Sequence, residues 1–323
     1  MCRSLVFTTH ASHAQSTHCI ARSNQHSVHR QSRRRGAWNS GHGAVVALAA
    51  LAKMGADLRR RAPHQPLARL GKKVVPRMVP ILVEDSHLLI VDKPAGLLAQ
   101  ASRPGEDSLC ARVRSYLSRH GNGEAAPFVG LVHRLDRDVT GACVLAKTPG
   151  AARWLSARIA RREVHKYYVC VVRQWHLGRD MQILRNTLDV DETGMAHEVV
   201  ADRAAGREAS LRCWPLCVGP SGVTVLLVQL LTGRRHQIRF QFASVGSPLL
   251  GDKRYGPGKT DGSKRWIQRP ALHAWKLSFA HPAQGHQQCE AIAAFPDDLS
   301  ALLTAVQIRP KVVLEEAAIH SYK

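Results

Sequence analysis

LVHRLDRDVTGACVLAKT, residues 131–148, places a charged loop between two apolar runs. Phe128 to Val132 and Ala142 to Ala146 read as short strands. His133 to Gly141 is then a polar loop on a rigid scaffold, where reactive groups often sit. Asp136 has cationic neighbours on both sides, at Arg134 and Arg137. Spacing alone also allows an ordinary charged turn. A third reading pairs Asp136 with Asp138 as a metal site, with Glu163 or Asp252 as the further hard oxygen ligand.

Working outward from this loop, Ile81 to Val83 and Leu88 to Val91 are strands around a turn at Glu84-Asp85-Ser86. Lys93 to Gly96 follows as a loop. Ser108 to Ser118 is a candidate helix, with Leu109, Val113 and Leu117 at four-residue spacing. Gly150 to Arg162 is a second, with Trp154, Leu155 and Ile159 on one side and arginines beyond them. Val164 to Val172 reads as a strand, residues 174–220 as an irregular stretch with hairpins, and Val223 to Leu230 as the strongest strand. A helix is expected from Thr232-Gly233, with Ile238, Phe242 and Val245 on one face and Gly246 as its stop. Short strands mixed with a few helices predict an α+β fold, with a mixed, largely antiparallel central sheet and flanking helices.

Three further segments carry candidate chemistry. Lys166-Tyr167-Tyr168 begins a strand, so alternation puts the two tyrosines on opposite faces. One is free to stack on a nucleobase while the other packs inside, although strand tyrosines also serve as plain filler. In Leu231 to Arg239, a helix start would place Arg235 and Arg239 on one face, near free backbone amides that suit phosphate. A solvated basic face is the alternative. Gly246 to Gly256 is a shaped connection that matches neither a dinucleotide-binding nor a P-loop pattern.

The charge divides unevenly. The 323 residues carry a formal +22, a balance that favours a polyanionic partner, nucleic acid first. Residues 1–77 hold fourteen Lys and Arg against Asp57 alone, or +13, which leaves +9 for the rest. This first stretch reads as a basic N-terminal extension: disordered, transit-peptide-like, or upstream of a true start at Met54 or Met78. Removing it is expected to leave the function of the remainder intact. Residues 78–305 form the expected main domain and 306–323 a C-terminal tail. No apolar run reaches the ~18 residues of a membrane span. Eight cysteines without a C-x-x-C pair read as buried free thiols in a reducing compartment.

Taken together, the segments resemble the RluA-like family of pseudouridine synthases, which act on large-subunit rRNA and tRNA. The resemblance is carried in family order by ILVEDSHLLIVDKPAGLLAQ (81–100), LVHRLDRDVTGACVLAKT (131–148), VHKYYVCVV (164–172) and LLTGRRHQIRFQFASVGSPLLGDKRYG (230–256). ALHAWKLSFAHP (271–282) adds a fifth block. It implies the pseudouridine synthase catalytic fold, with Asp136 as catalytic aspartate, Tyr168 packed against the target base and Arg239 paired with Asp136. It also implies an RNA-facing set of Arg134, Lys166, Arg234, Arg235, His236 and Leu272, the last as apolar pocket wall. The implied enzyme is a monomeric, cytoplasmic isomerase of RNA that needs no cofactor and no metal. Organellar targeting by the N-terminal extension is the alternative location. Val139-Thr140 departs from the family's usual Thr-Ser, which bears on loop packing. Arg239→Ala is expected to lower turnover far more than stability. The rival readings are a non-catalytic RNA-binding protein and a metal-dependent sugar transferase, which EDTA would inhibit.

Overall fold

The computed structural model describes residues 79–120, 126–199, 206–220, 222–256, 267–283 and 287–322. The N-terminal extension and the basic residues of 257–265 lie outside them. Among the described residues eleven strands form one sheet: β1 (Ile81–Glu84), β2 (Leu88–Lys93), β3 (Gly130–Leu131), β4 (Thr140–Ala146), β5 (His165–Arg173), β6 (Gln182–Val190), β7 (Ala196–Glu198), β8 (Arg207–Val218), β9 (Val223–Leu230), β10 (Leu272–Ala280) and β11 (Gln288–Ile292). Their spatial order is β1-β2-β4-β10-β5-β9-β8-β6-β7, with β11 on β10 and β3 on β4. Every pairing is antiparallel except β10 with β4, where His273 faces Thr140 and Ala274 faces Gly141. The mixed, largely antiparallel sheet matches the expected class.

Helices cover both faces. Alternation along β2, β4, β5 and β9 sends Leu89, Val91, Cys143, Tyr168, Cys170 and Val228 to one side, under α1 (Leu109–His120) and α3 (Gln237–Ser244). The residues between them in sequence go to the other side. There Leu88, Ile90 and Val144 meet Leu155 of α2 (Pro149–Ala160), and Val169, Val171 and Trp275 meet α4 (Asp297–Ala305) and α5 (Pro310–Ser321). The sequence punctuates α2 clearly, since Thr148 Oγ1 accepts from the Ala151 amide at 3.1 Å and Pro149 takes the first turn. No helix among the described residues is long and apolar enough to cross a membrane.

Two expectations need correction. Residues 306–323 are not a tail: they contain α5, whose Val313 and Ala317 are fully buried against the sheet. The helix expected from Thr232 begins five residues later, at Gln237. Side-chain bonding replaces helical bonding before it. Gln237 Oε1 accepts from Thr232 Oγ1 at 2.8 Å and from the Arg234 amide at 3.0 Å, and His236 sits in the left-handed region at φ 52°.

Candidate active site

The charged loop runs from β3 to β4, and Leu135 and Val139 anchor it by burying their side chains in the core. Asp136 between them is left at the surface of a cavity. A second anchor is Lys93, the last residue of β2, which is fully buried. Its ammonium donates to the carbonyls of Pro94 (2.9 Å), Leu97 (2.8 Å) and Arg137 (2.9 Å), the last within the loop. Burial pushes this lysine down to about 8, although Cys143, Asp138 and Asp136 oppose the shift. Thr140, at the departure from the family pattern, bonds the buried His273 Nδ1 at 2.9 Å. His133 Nε2 accepts from the Val144 amide at 3.0 Å, so the ring proton is on Nδ1, and burial pushes the imidazole down to about 3.

Arg239, on α3, joins two carboxylates. It binds Asp252 with two donors, at 2.7 and 2.8 Å, and Asp136 Oδ2 with a third at 3.1 Å. The Asp252 side chain has no exposure at all. Burial by itself would raise that carboxyl, but Arg239 and the amides of Arg254 and Tyr255 hold it below the ordinary range. Burial would likewise lower the Arg239 guanidinium, and its bonds to Asp252 and Asp136 outweigh this and raise it. Tyr255 lies edge-on to His236 with its ring 5.2 Å from the guanidinium carbon. Its hydroxyl accepts from the Ala196 amide at 2.7 Å and lies 3.0 Å from His236 Nδ1. His236 Nε2 is 3.8 Å from Asp136 Oδ2.

These groups surround a cavity of about 580 Å³. Asp136, Tyr168 and Arg239 all line it, as does Leu272 on the apolar side. Arg134, Lys166, Arg234, Arg235 and His236 complete the set expected from sequence. Tyr168 is 6% exposed and faces the cavity side of the sheet, while Tyr167 packs on the opposite face, as alternation requires. Burial first, then the charges of Cys143 and Asp136, raise the Tyr168 phenol. Arg235 and Arg239 do not share a helical face, because Arg235 precedes the helix. Asp138 pairs with Arg137 at 3.5 Å and is not at the cavity. Among the described residues no group of three His, Cys, Asp or Glu is arranged to hold a metal.

Sequence reading passed over Lys93, Tyr255 and His273 as parts of this site, and offered Asp252 only as a metal ligand beside Asp136 rather than as the partner of Arg239. The available signal for Lys93 was a lone lysine closing the apolar run LLIVDK. Asp252 and Tyr255 lie in the Gly246 to Gly256 connection, which serves as the wall that locks Arg239.

The RNA pseudouridylate synthase family pattern matches residues 87–244, a span that holds Asp136, Tyr168 and Arg239. A ribosomal large subunit pseudouridine synthase D from Xanthomonas campestris is 35% identical over 70% of this chain and 69% of its own length. A dual-specificity RNA pseudouridine synthase RluA from Yersinia pestis is 32% identical over 65% of this chain and 98% of its own. The solved structure of human RNA pseudouridylate synthase domain containing 4 shares the fold at a TM-score of 0.56, covering 82% of this chain and 97% of that one at 20% identity. With its cavity built largely from the matched span, the chain belongs to the RNA pseudouridylate synthase family, whose members are isomerases.

Proposed function

We propose that this chain isomerises particular uridines of rRNA or tRNA to pseudouridine, with Asp136 as the essential group and the sheet with its covering helices, α5 included, as the catalytic domain. The observation that carries the reading is the asymmetry of the Asp136 carboxylate. Oδ2 is held by Arg239, which Asp252 fixes in turn, while Oδ1 has no hydrogen bond among the described residues, and Asp136 lines the cavity. A carboxyl group fixed through one oxygen, with the other unbonded, suits attack on C1′ of the sugar, or stabilisation of positive charge there. It also suits a route in which the 2′ proton is removed.

On either route the C1′–N1 bond breaks and its electron pair stays with uracil. The base turns within the pocket, C5 bonds to C1′, and the C5 proton leaves. Tyr168 holds the base by packing against it and Leu272 closes the apolar side. The target nucleotide must leave its stack, at a cost of a few kcal/mol. Arg134, Arg234 and Arg235 offset that cost through contacts with the RNA backbone. The chemistry is redox-neutral and transfers no phosphate, so these side chains suffice without a cofactor. A monomer working in a reducing, cytoplasmic setting fits the free thiols.

The test is tritium release from [5-³H]uridine in rRNA and tRNA transcripts. The parent releases tritium from at least one transcript, with and without EDTA. Asp136→Asn binds the same RNA and releases none. Tritium release by that variant would remove Asp136 from the reaction.

A further inference from the structure

Three lysines among the described residues are buried: Lys93, Lys166 and Lys276. Lys93 has its three carbonyls, and Lys276 has Glu290 at 3.0 Å and Ser321 at 3.3 Å. Lys166 is 7% exposed and makes no hydrogen bond or ion pair among the described residues. Its ammonium lies beside Gly233, within about one contact distance of where a Cβ would stand, at 3.6 Å. It lines the cavity, two residues before Tyr168 and on the same face of β5. The stem is buried, but the ammonium is not sealed in: it opens on the cavity without a protein partner among the described residues. A partner that arrives only with the substrate accounts for its place.

The reaction supplies such a partner. When C1′–N1 breaks, uracil departs as an anion whose charge spreads over N1, O2 and O4. We infer that Lys166 donates a hydrogen bond to a carbonyl oxygen of the departing uracil and so stabilises it as a leaving group. No proton is transferred. The ammonium keeps its charge throughout, and the electron pair returns to carbon when C5 bonds C1′. Burial lowers the lysine below its ordinary range with no neighbouring group opposing it, which strengthens it as a donor. The phosphates have other partners: Arg134 and Arg235 are exposed at the mouth of the cavity, whereas Lys166 is recessed beside the tyrosine that packs on the base. This assignment rests on the uridine-isomerase reading above.

The experiment compares the parent with Lys166→Met in single turnovers at saturating RNA, carrying uridine or 5-fluorouridine at the target. Fluorine makes uracil a better leaving anion, so cleavage then depends less on an external donor. Lys166→Met is expected to consume uridine about 100-fold more slowly, the usual order for losing one preorganised donor. With 5-fluorouridine that deficit should shrink to under about 10-fold. RNA affinity should hold, and the melting temperature should equal or exceed that of the parent because the ammonium has no protein partner to lose among the described residues. Lys166→Gln, which keeps a neutral donor, should fall between the two. Equal deficits on both substrates would overturn the inference. So would a loss of affinity with a shallower salt dependence, which marks a phosphate contact, or a lower melting temperature, which marks a structural lysine. A parent that makes no pseudouridine would instead overturn the isomerase reading on which the inference stands.

Discussion

Arg239 gives two donors to Asp252 and one to Asp136, so its removal affects more than the reaction. From sequence, Arg239→Ala was expected to lower turnover far more than stability. The structure adds a stability cost to that expectation, because Asp252 would be left as an uncompensated carboxylate with no solvent exposure. Breaking a buried pair from one side costs about 3–5 kcal/mol. Arg239→Ala should therefore lower the urea midpoint clearly as well as abolish turnover. Arg239→Ala with Asp252→Asn should recover part of the stability and none of the activity. An unchanged midpoint in the single variant would mean that Asp252 finds another partner. The pairing of Arg239 with Asp136 was legible through family resemblance. Asp252 was offered only as a further metal ligand, and its place under Arg239 was not legible, because a single aspartate in a Gly/Pro-rich connection looks like turn chemistry until the chain folds it under the arginine.

At the scale of elements, long apolar runs were legible and short or compensated ones were not. Val223 to Leu230 is a strand over the residues expected. Residues 174–220 looked irregular because Pro215 and the register shift between Pro215 and Cys217 interrupt the alternation of β8. α5 was read as a tail because its buried stripe is Val313, Ala317 and Ser321, small residues with a weak apolar signal between charged ones. The junction of β4 with β10 depends on one glycine. Gly141 has φ +114°, and a Cβ there would stand 2.2 Å from the Ala274 carbonyl oxygen. Gly141→Ala forces this pairing apart directly behind the loop that carries Asp136. A loss of about 3 kcal/mol or more is expected in denaturant unfolding, from backbone strain together with the clash. A loss below about 1 kcal/mol would show that the two strands move apart without penalty.

For the molecule as a whole, buried titratable groups set the response to acid. Burial pushes His273 down to about 4 and His133 down to about 3, so both fold neutral. The unfolded chain binds their protons more readily, so this stability is complete above about pH 6.5 and is lost as pH falls toward these values. Asp92 acts the other way: burial raises it to about 6, and it becomes less costly to bury as pH falls through that value. Both histidines lose stability and Asp92 gains it between pH 7.5 and pH 5, and His236, which burial also pushes down, adds to the loss, so the net change is a loss. Urea midpoints at the two pH values check it, and His273→Gln should flatten the difference. The overall charge is sharpened by the fold in a similar way: the +9 of residues 78–323 includes the arginines around an ordered cavity, whereas the +13 of residues 1–77 lies outside the described residues. The central claim is that Asp136 in this cavity makes pseudouridine in RNA. It is tested most directly by mapping pseudouridines in rRNA and tRNA from cells lacking this gene, complemented with the parent or with Asp136→Asn. The expected result is that one or a few pseudouridines vanish, return with the parent and stay absent with the variant. An unchanged map in the deletion strain, or restoration by Asp136→Asn, would contradict the account.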